Sequence, residues 1–252
     1  MFPCLSRSLS LLLLSFSAFA FDEATLIQAA ALRDAALKDD TAYQTVEGLV
    51  QTAPYRFAGS ANGRKAVVWA EARLKALGFS NVHTEAVTVP RWIRGRADVR
   101  IFSGSQTELM AVALGGSVGT AKPVISEVLM VNSLDELRAR PLSEIKNRIV
   151  FFNGRMERKR DGSGYSPAVA VRGKGAAEAA RRGALGVVIR SIGTNHDRDP
   201  HTGALRYDQI VRKIPAAALS AIDADLLEAR LLSGERVRLS LHLTSRDAAL
   251  GW

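Results

Sequence analysis

Residues 173–190 read Gly-Lys-Gly-Ala-Ala-Glu-Ala-Ala-Arg-Arg-Gly-Ala-Leu-Gly-Val-Val-Ile-Arg, and this stretch decides the fold class. The alanine-rich run from about Lys174 to Arg182 predicts a helix, because alanine loses no side-chain entropy there. Gly183 closes it. Gly186 to Arg190 then predicts a buried strand. Upstream, Arg148-Ile-Val-Phe-Phe-Asn153 is a fully apolar strand, and downstream Ile214 to Leu219 is a short one. Strands and helices in comparable number indicate an α/β or mixed α+β fold.

The pattern extends outward on both sides. Toward the C-terminus lie a helix over Ala221–Ser233 and a last strand over Arg236–Leu243. Between Gly115 and the opening stretch lie a strand (Val124–Val131), a helix (Ser133–Ala139) and a charged loop reaching Pro167. Asn195 to Tyr207 is a polar loop. Toward the N-terminus, helical spacing covers Asp22–Leu37 and Tyr43–Leu49. A turn-rich loop spans 52–63. A helix from about Arg64 to Leu77 follows, with Val67, Val68, Ala70, Leu74 and Leu77 on its apolar face and Gly78 as its stop. Val82 to Val89 alternates like a strand and Pro90 ends it. Ala97–Phe102 and Leu109–Leu114 are further strands. The glycine-rich run 114–123 marks a change of domain. The expected division is 1–20, 21–114, 115–245 and a short link, 246–252.

The first 20 residues predict export. Arg7 is a positive n-region, Leu11–Leu14 an apolar centre, and Ala18-Phe-Ala20 a small-x-small cleavage site. The apolar run is too short for a bilayer-spanning helix, which needs ~20 residues. No later stretch is long and apolar enough to span a membrane, so the mature chain is expected in the periplasm or outside the cell. The one cysteine, Cys4, lies inside this segment, which leaves the mature chain without disulfide or thiolate chemistry. Formal charge is +9, and +8 without Arg7, but it is scattered. Aromatics make up 6%, too few to interleave a nucleic-acid surface, so no nucleic-acid partner is expected.

Three segments carry candidate chemistry. Gly115-Gly-Ser117-Val-Gly119 matches a nucleophile-elbow pattern, but that elbow needs a helix after the serine, and here Pro123 and a strand follow. Asn195-His196-Asp-Arg198-Asp-Pro200-His201-Thr202-Gly203 gathers two histidines and two carboxylates. Such donors can share zinc, yet Arg198 sits among them and no H-E-x-x-H occurs. Gly173-Lys-Gly175 opens the alanine-rich helix, where backbone N–H groups could hold an anion, but it lacks a dinucleotide fingerprint. His83 and His242 are expected at ordinary strand positions.

Two sets of blocks carry a resemblance. Arg56-Phe-Ala-Gly-Ser60, Ala66-Val-Val-Trp69, Leu77-Gly-Phe79 and Glu85-Ala-Val-Thr-Val-Pro-Arg-Trp92-Ile-Arg94-Gly95 resemble the N-terminal lobe of family M28 zinc peptidases. The likeness is to the carboxypeptidase Q type of exported aminopeptidase or dipeptidase. Ile149–Asn153, Tyr165, Arg172–Ala180, Gly183–Ser191, Pro200-His-Thr-Gly203 and Ile214–Ser220 resemble the protease-associated β/α insert domain of that type. The resemblance covers nearly the whole mature chain, in order.

It implies a parent that removes residues from peptides with two zinc ions, held by a catalytic domain that follows the insert. That domain carries an H-x-D motif and a paired-glutamate motif. Neither occurs here: His83, His196, His201 and His242 are followed two places on by Glu85, Arg198, Gly203 and Thr244. No catalytic residue, metal ligand or cofactor is therefore assigned to this chain. The expectation is a non-catalytic portion of such a peptidase, inactive alone and lacking its catalytic domain. The insert would limit access to the peptide cleft, with Pro200, His201, Thr202, Gly203 and Tyr207 facing it. The competing expectation is a protease-associated binding module acting by itself. In a truncated chain, the segment before Gly115 is expected to expose a face and a sheet edge meant for the catalytic domain. N-terminal sequencing of the exported protein should begin at Phe21 or Asp22; a start at Met1 would remove the signal.

Overall fold

The computed structural model describes residues 21–104 and 106–251. The expected signal, residues 1–20, lies outside the described residues, as does Trp252 of the expected link. The rest falls into two compact units. One comprises Lys65–His83 with the described residues up to Tyr55, the other Arg56–Arg64 with those from Thr84 on.

Three helices make up most of the first unit: α1 (Glu23–Ala36), α2 (Thr41–Thr52) and α3 (Ala61–Ala76). Asp22 caps α1 by accepting from the Thr25 N–H at 2.7 Å. α3 starts at Ala61 rather than Arg64, because the Ser60 hydroxyl accepts from the Gly63 N–H at 2.9 Å. None of these helices has a buried residue. Val67 and Val68, expected on the apolar face, are 52% and 69% exposed. Instead Arg73 donates to Thr45 Oγ1 of α2 at 3.2 Å, and Trp69 lies so close that a Cβ at Gly48 would stand 3.1 Å from its ring.

The second unit is built on strands. β1 (Val89–Ile93) pairs only with the last strand, β10, described below. The expected strand over Val82–Val89 does not form: residues 82–88 lie in no strand. Alternation without a partner does not make a strand. Pro90, expected as a stop, lies inside β1. The ladder shifts register between Val89 and Arg91, the kind of irregularity that tolerates a residue without an N–H.

β2 (Ala97–Ile101), β3 (Thr107–Leu109), β4 (Ala111–Ala113), β5 (Val124–Val131), β6 (Ile149–Phe152), β7 (Gly186–Arg190), β8 (Ala216–Leu219) and β9 (Arg238–Leu243) form one sheet of order β3-β2-β9-β5-β6-β7-β8-β4. β5 through β8 run parallel; β9 is antiparallel to both β2 and β5. The pairing of β2 with β9 and β4 with β8 ties residues before Gly115 into the same sheet as those after it. β2, β3 and β4 thus belong to this sheet, while β1 lies outside it. The expected link is also structured, because β10 (Arg246–Gly251) pairs antiparallel with β1.

β3 and β4 stand at opposite ends of the strand order, yet only Met110 separates them. One residue spans at most ~3.6 Å, so the sheet must curl until its ends meet. The seam is held by the start of α7 (Ala221–Leu232): the Met110 N–H donates to Asp223 Oδ2 at 3.1 Å, and the Ser220 N–H donates to the Met110 carbonyl at 2.9 Å.

Helices α4 (Leu134–Ala139), α5 (Leu142–Ile145) and α6 (Tyr165–Arg181) share one core with Val150, Phe152, Val187, Ile189, Ala216 and Ala218. α7 shares the opposite core with Ile149, Phe151, Val188, Ala217 and Leu219. Alternate residues of each central strand thus enter alternate cores. α6 begins at Tyr165 rather than near Lys174. Pro167 is compatible with a first helical turn, whose N–H groups need no helical acceptor. Gly173 and Gly175 therefore lie within α6 and cannot present helix-opening N–H groups to an anion.

The two glycines have opposite surroundings. A Cβ at Gly173 meets nothing within 4 Å, whereas one at Gly175 would stand 2.9 Å from Phe152 Cε2. Alanine is favoured over glycine in a helix by about 1 kcal/mol, while overpacking costs about 1–3 kcal/mol. Gly173→Ala should raise the urea midpoint of the sheet unit, and Gly175→Ala should lower it.

Candidate functional site

The C-terminal ends of β6, β7 and β8 share a rim, the edge at which parallel sheets present ligand crevices. Arg190 closes β7 there and is only 4% exposed. A buried guanidinium must have partners. Its Nε and Nη2 donate to Asn153 Oδ1 at 2.9 and 2.7 Å, and Nη1 donates to the Ala221 carbonyl at 3.1 Å. Asp225 and Glu228 of α7 complete the set, at 2.7 and 3.1 Å. Arg155, just beyond β6, reaches the same two carboxylates at 2.7 Å each. His196 Nε2 lies 2.7 Å from the other oxygen of Asp225. Burial alone would raise the Asp225 carboxyl, but hydrogen bonds from His196, Arg155 and Arg190 outweigh it and hold the pKa at about 2.

This arrangement tests the zinc possibility for the 195–203 loop. A zinc ligand needs a free lone pair. Asp225 is committed to two guanidinium groups and His196. Asp223 accepts from Arg198 Nη2 at 2.9 Å, Ser220 Oγ at 2.6 Å and the Met110 N–H. Asp197 accepts from the Asp199 N–H and from Asn195, both at 3.2 Å. A divalent cation here would face Arg155, Arg190 and Arg198. The residues present do not fit zinc, and the loop is instead pinned to α7 by His196–Asp225 and Arg198–Asp223.

The cleft-facing candidates take different places. The Gly115–Ala204 bridge and the Leu205 N–H, donating to the Gly115 carbonyl at 2.9 Å, seat the loop on the glycine run. Pro200 and Gly203 are half-buried, and Gly203 packs under Arg172, where a Cβ would stand 2.5 Å from Cζ. His201 is exposed, its N–H donating to Ser191 Oγ at 2.8 Å. Thr202 Oγ1 donates to the Ala113 carbonyl at 3.2 Å and accepts from Arg94 at 3.1 Å. The Tyr207 hydroxyl donates to the Ile214 carbonyl at 2.5 Å and accepts from the Val118 N–H at 3.3 Å. Burial pushes its pKa up, though the Val118 bond opposes this. Tyr207 is a clasp between loops, while the exposed His201 ring has Nε2 3.4 Å from Asn195 Nδ2.

The other motifs resolve as structure. Ser117 is buried, and its hydroxyl accepts from the Ala216 N–H at 2.9 Å, so it holds β8 and is no nucleophile. His242 lies in β9 as expected, with Nδ1 2.7 Å from Thr120 Oγ1. His83 lies outside any strand, with Nδ1 2.9 Å from the Asn81 carbonyl. Sequence reasoning missed Arg190, Asn153, Asp225 and Glu228 as one network. The signal was an arginine ending an otherwise apolar strand, a charge that burial obliges to find carboxylates.

No protein-family model matches the chain. Carboxypeptidase Q of Bos taurus is 34% identical over 206 residues, which cover 81% of this chain and 42% of that protein. Carboxypeptidase Q of Homo sapiens is 33% identical over 205 residues, with the same coverages of 81% and 42%. A solved structure of a peptidase M28 precursor from Shewanella amazonensis SB2B superposes with a TM-score of 0.84 at 40% identity, over 88% of this chain and 51% of that one. An aminopeptidase from Aneurinibacillus sp. strain AM-1 shares the fold, with a TM-score of 0.52 at 18% identity over 82% and 44%. The chain thus spans less than half the length of the curated relatives it matches.

The Asp225 shift carries a stability consequence. Its folded pKa lies below the ordinary carboxylate value, so the unfolded chain takes up the proton first as pH falls. The contribution is fully present above about pH 4 and is lost toward about pH 2. Asp225→Asn should be less stable at pH 7 and should show a shallower loss of stability across that window. Urea titrations at stepped pH measure both.

Proposed function

Because this chain is related by sequence to the M28-family, carboxypeptidase Q-like peptidases, we propose that it supplies their N-terminal lobe and protease-associated insert. The parent is an exported zinc-dependent peptidase that removes residues from peptides. In this reading the hydrolytic centre and its two zinc ions belong to a catalytic domain that these residues do not contain. The insert limits access to the cleft through the loop carrying Pro200, His201, Thr202 and Gly203, with Tyr207 bracing it.

One observation carries the reading: the chain matches its relatives along 81% of its own length but only 42% of theirs. The committed donors support it, since Asp225, the carboxylate that His196 touches, already holds Arg155 and Arg190. No step of hydrolysis is assigned to this chain. Its own residues shape and brace. Arg190 fixes the ends of β6 and β7 to α7, and the His196 and Arg198 contacts fix the loop to the same helix. Among the described residues no helix is long and apolar enough to cross a membrane.

A stand-alone binding module is the second reading. Its support is the self-contained core of the sheet unit, with both faces of β6, β7 and β8 covered. One experiment separates the readings from an active enzyme. The purified chain should contain no stoichiometric zinc and should not hydrolyse dipeptides. Hydrolysis abolished by a chelator would overturn the assignment. Mature chain added to the separately expressed remainder of its reading frame should restore chelator-sensitive hydrolysis; the binding-module reading predicts no restoration.

A further inference from the structure

We propose that the open edge of Arg94 binds the carboxylate of a peptide ligand; this rests on the peptidase reading above. Arg94 directly follows β1. Its guanidinium carbon lies 5.1 Å from the centre of the Trp92 ring and 5.2 Å from that of Phe57. Nη1 donates to the Ala113 carbonyl and, at 3.1 Å, to Thr202 Oγ1. Those two bonds use both protons of Nη1. Nε and Nη2 donate to no group among the described residues. These two nitrogens form the edge of the guanidinium fork that accepts a carboxylate with two parallel hydrogen bonds.

The charge of Arg94 is uncompensated. Arg155, Arg182, Arg190 and Arg198 each have a carboxylate partner. Arg94 has none among the described residues, and burial alone acts on its pKa, lowering it. Holding a half-buried cation without a counter-ion is costly. Here the two ring faces and the Ala113 carbonyl offset part of that cost, because a ring face is electronegative. Arg172 also lacks a carboxylate, but it is not an open site. Its Nε is sealed from solvent, its Nη2 donates to the Tyr165 hydroxyl at 2.8 Å, and Gly203 packs against its guanidinium.

The position of Arg94 adds the ligand class. Thr202, which it holds, belongs to the loop proposed to border the peptide cleft. Phe57 is 43% exposed, so an apolar wall stands beside the open edge. A carboxylate with an adjacent apolar side chain fits this corner. A peptide can supply it from its C-terminus or from an acidic side chain.

The test is an NMR titration of the full chain, followed at the Trp92 indole N–H, which stacks on Arg94 and donates to the Ser117 carbonyl at 3.0 Å. N-acetyl-leucine should shift this signal saturably, and N-acetyl-leucinamide should not. The α-amide of N-acetylaspartate separates the sources: equal binding assigns any peptide carboxylate, and weaker binding assigns the C-terminal one. Arg94→Gln should weaken N-acetyl-leucine about tenfold, and Arg94→Lys, which keeps the charge without the fork, should fall between. An equal response to the leucinamide, no response to either carboxylate, or unchanged binding in a folded Arg94→Lys or Arg94→Gln protein would overturn the proposal. The peptidase reading fails separately, in the zinc and hydrolysis assays, whatever Arg94 binds.

Discussion

Every residue of β6, β7 and β8 is buried, and that two-sided burial constrains the rest of the sheet unit. Neighbouring side chains of a strand point to opposite faces, so a strand apolar at every position needs cover on both. α4, α5 and α6 cover one face and α7 the other. To place α7, the chain must leave β8 and pass to the far side. The start of α7 then meets Met110, where the two ends of the curled sheet are joined. Ser220 and Asp223 serve the helix cap and the seam at once, because Ser220 Oγ also accepts from the Asp223 N–H at 3.0 Å.

The same burial explains the chemistry at the rim. Arg190 extends an apolar strand and cannot reach water, so it recruits Asn153, Asp225 and Glu228. Those carboxylates are then unavailable to a metal. His196 and Arg198 fasten the polar loop to α7 by the groups left over. The loop is held on its other side by Tyr207 and by the bridge to Gly115. A segment rich in histidine and carboxylate thereby becomes a braced border. Arg94 stands apart from this charge balance. Aromatic faces and carbonyl oxygens shelter it, and no carboxylate among the described residues neutralises it, which leaves its open edge for an incoming anion.

Much of the fold was legible from residue order. The apolar runs 149–152 and 186–190 became the central strands, and the helices expected over Ser133–Ala139 and Ala221–Ser233 formed, capped by Ser133 and Ser220. Three readings went astray for one shared reason, that a local pattern does not reveal its partner. Residues 82–88 of the alternating stretch lie in no strand. Pro90 reads as a stop, yet sits where the β1–β10 ladder slips its register. Gly173 and Gly175 look like a helix opening, but Gly175 is the close-approach point where α6 crosses the Phe152 ring. The candidate site was half legible. The loop stood out by composition, and Arg94 appeared only inside a longer block. Arg190 and its carboxylates are separated by more than 30 residues, and no spacing rule joins them.

By itself, the sequence determined the mixed α/β class, most helix and strand positions, and the likeness to M28 peptidases. Those properties depend on local periodicity, capping and turn chemistry, all written within a few residues of one another. Tertiary structure alone decided that β2, β3 and β4, which precede Gly115, join the same sheet as β5 to β9. It also decided that the α7 acids facing the loop hold arginines, and that Arg94 keeps an unpaired edge. Each of these depends on which distant groups share a buried space, because burial strengthens a charge's demand for a partner while the fold decides which partner is within reach.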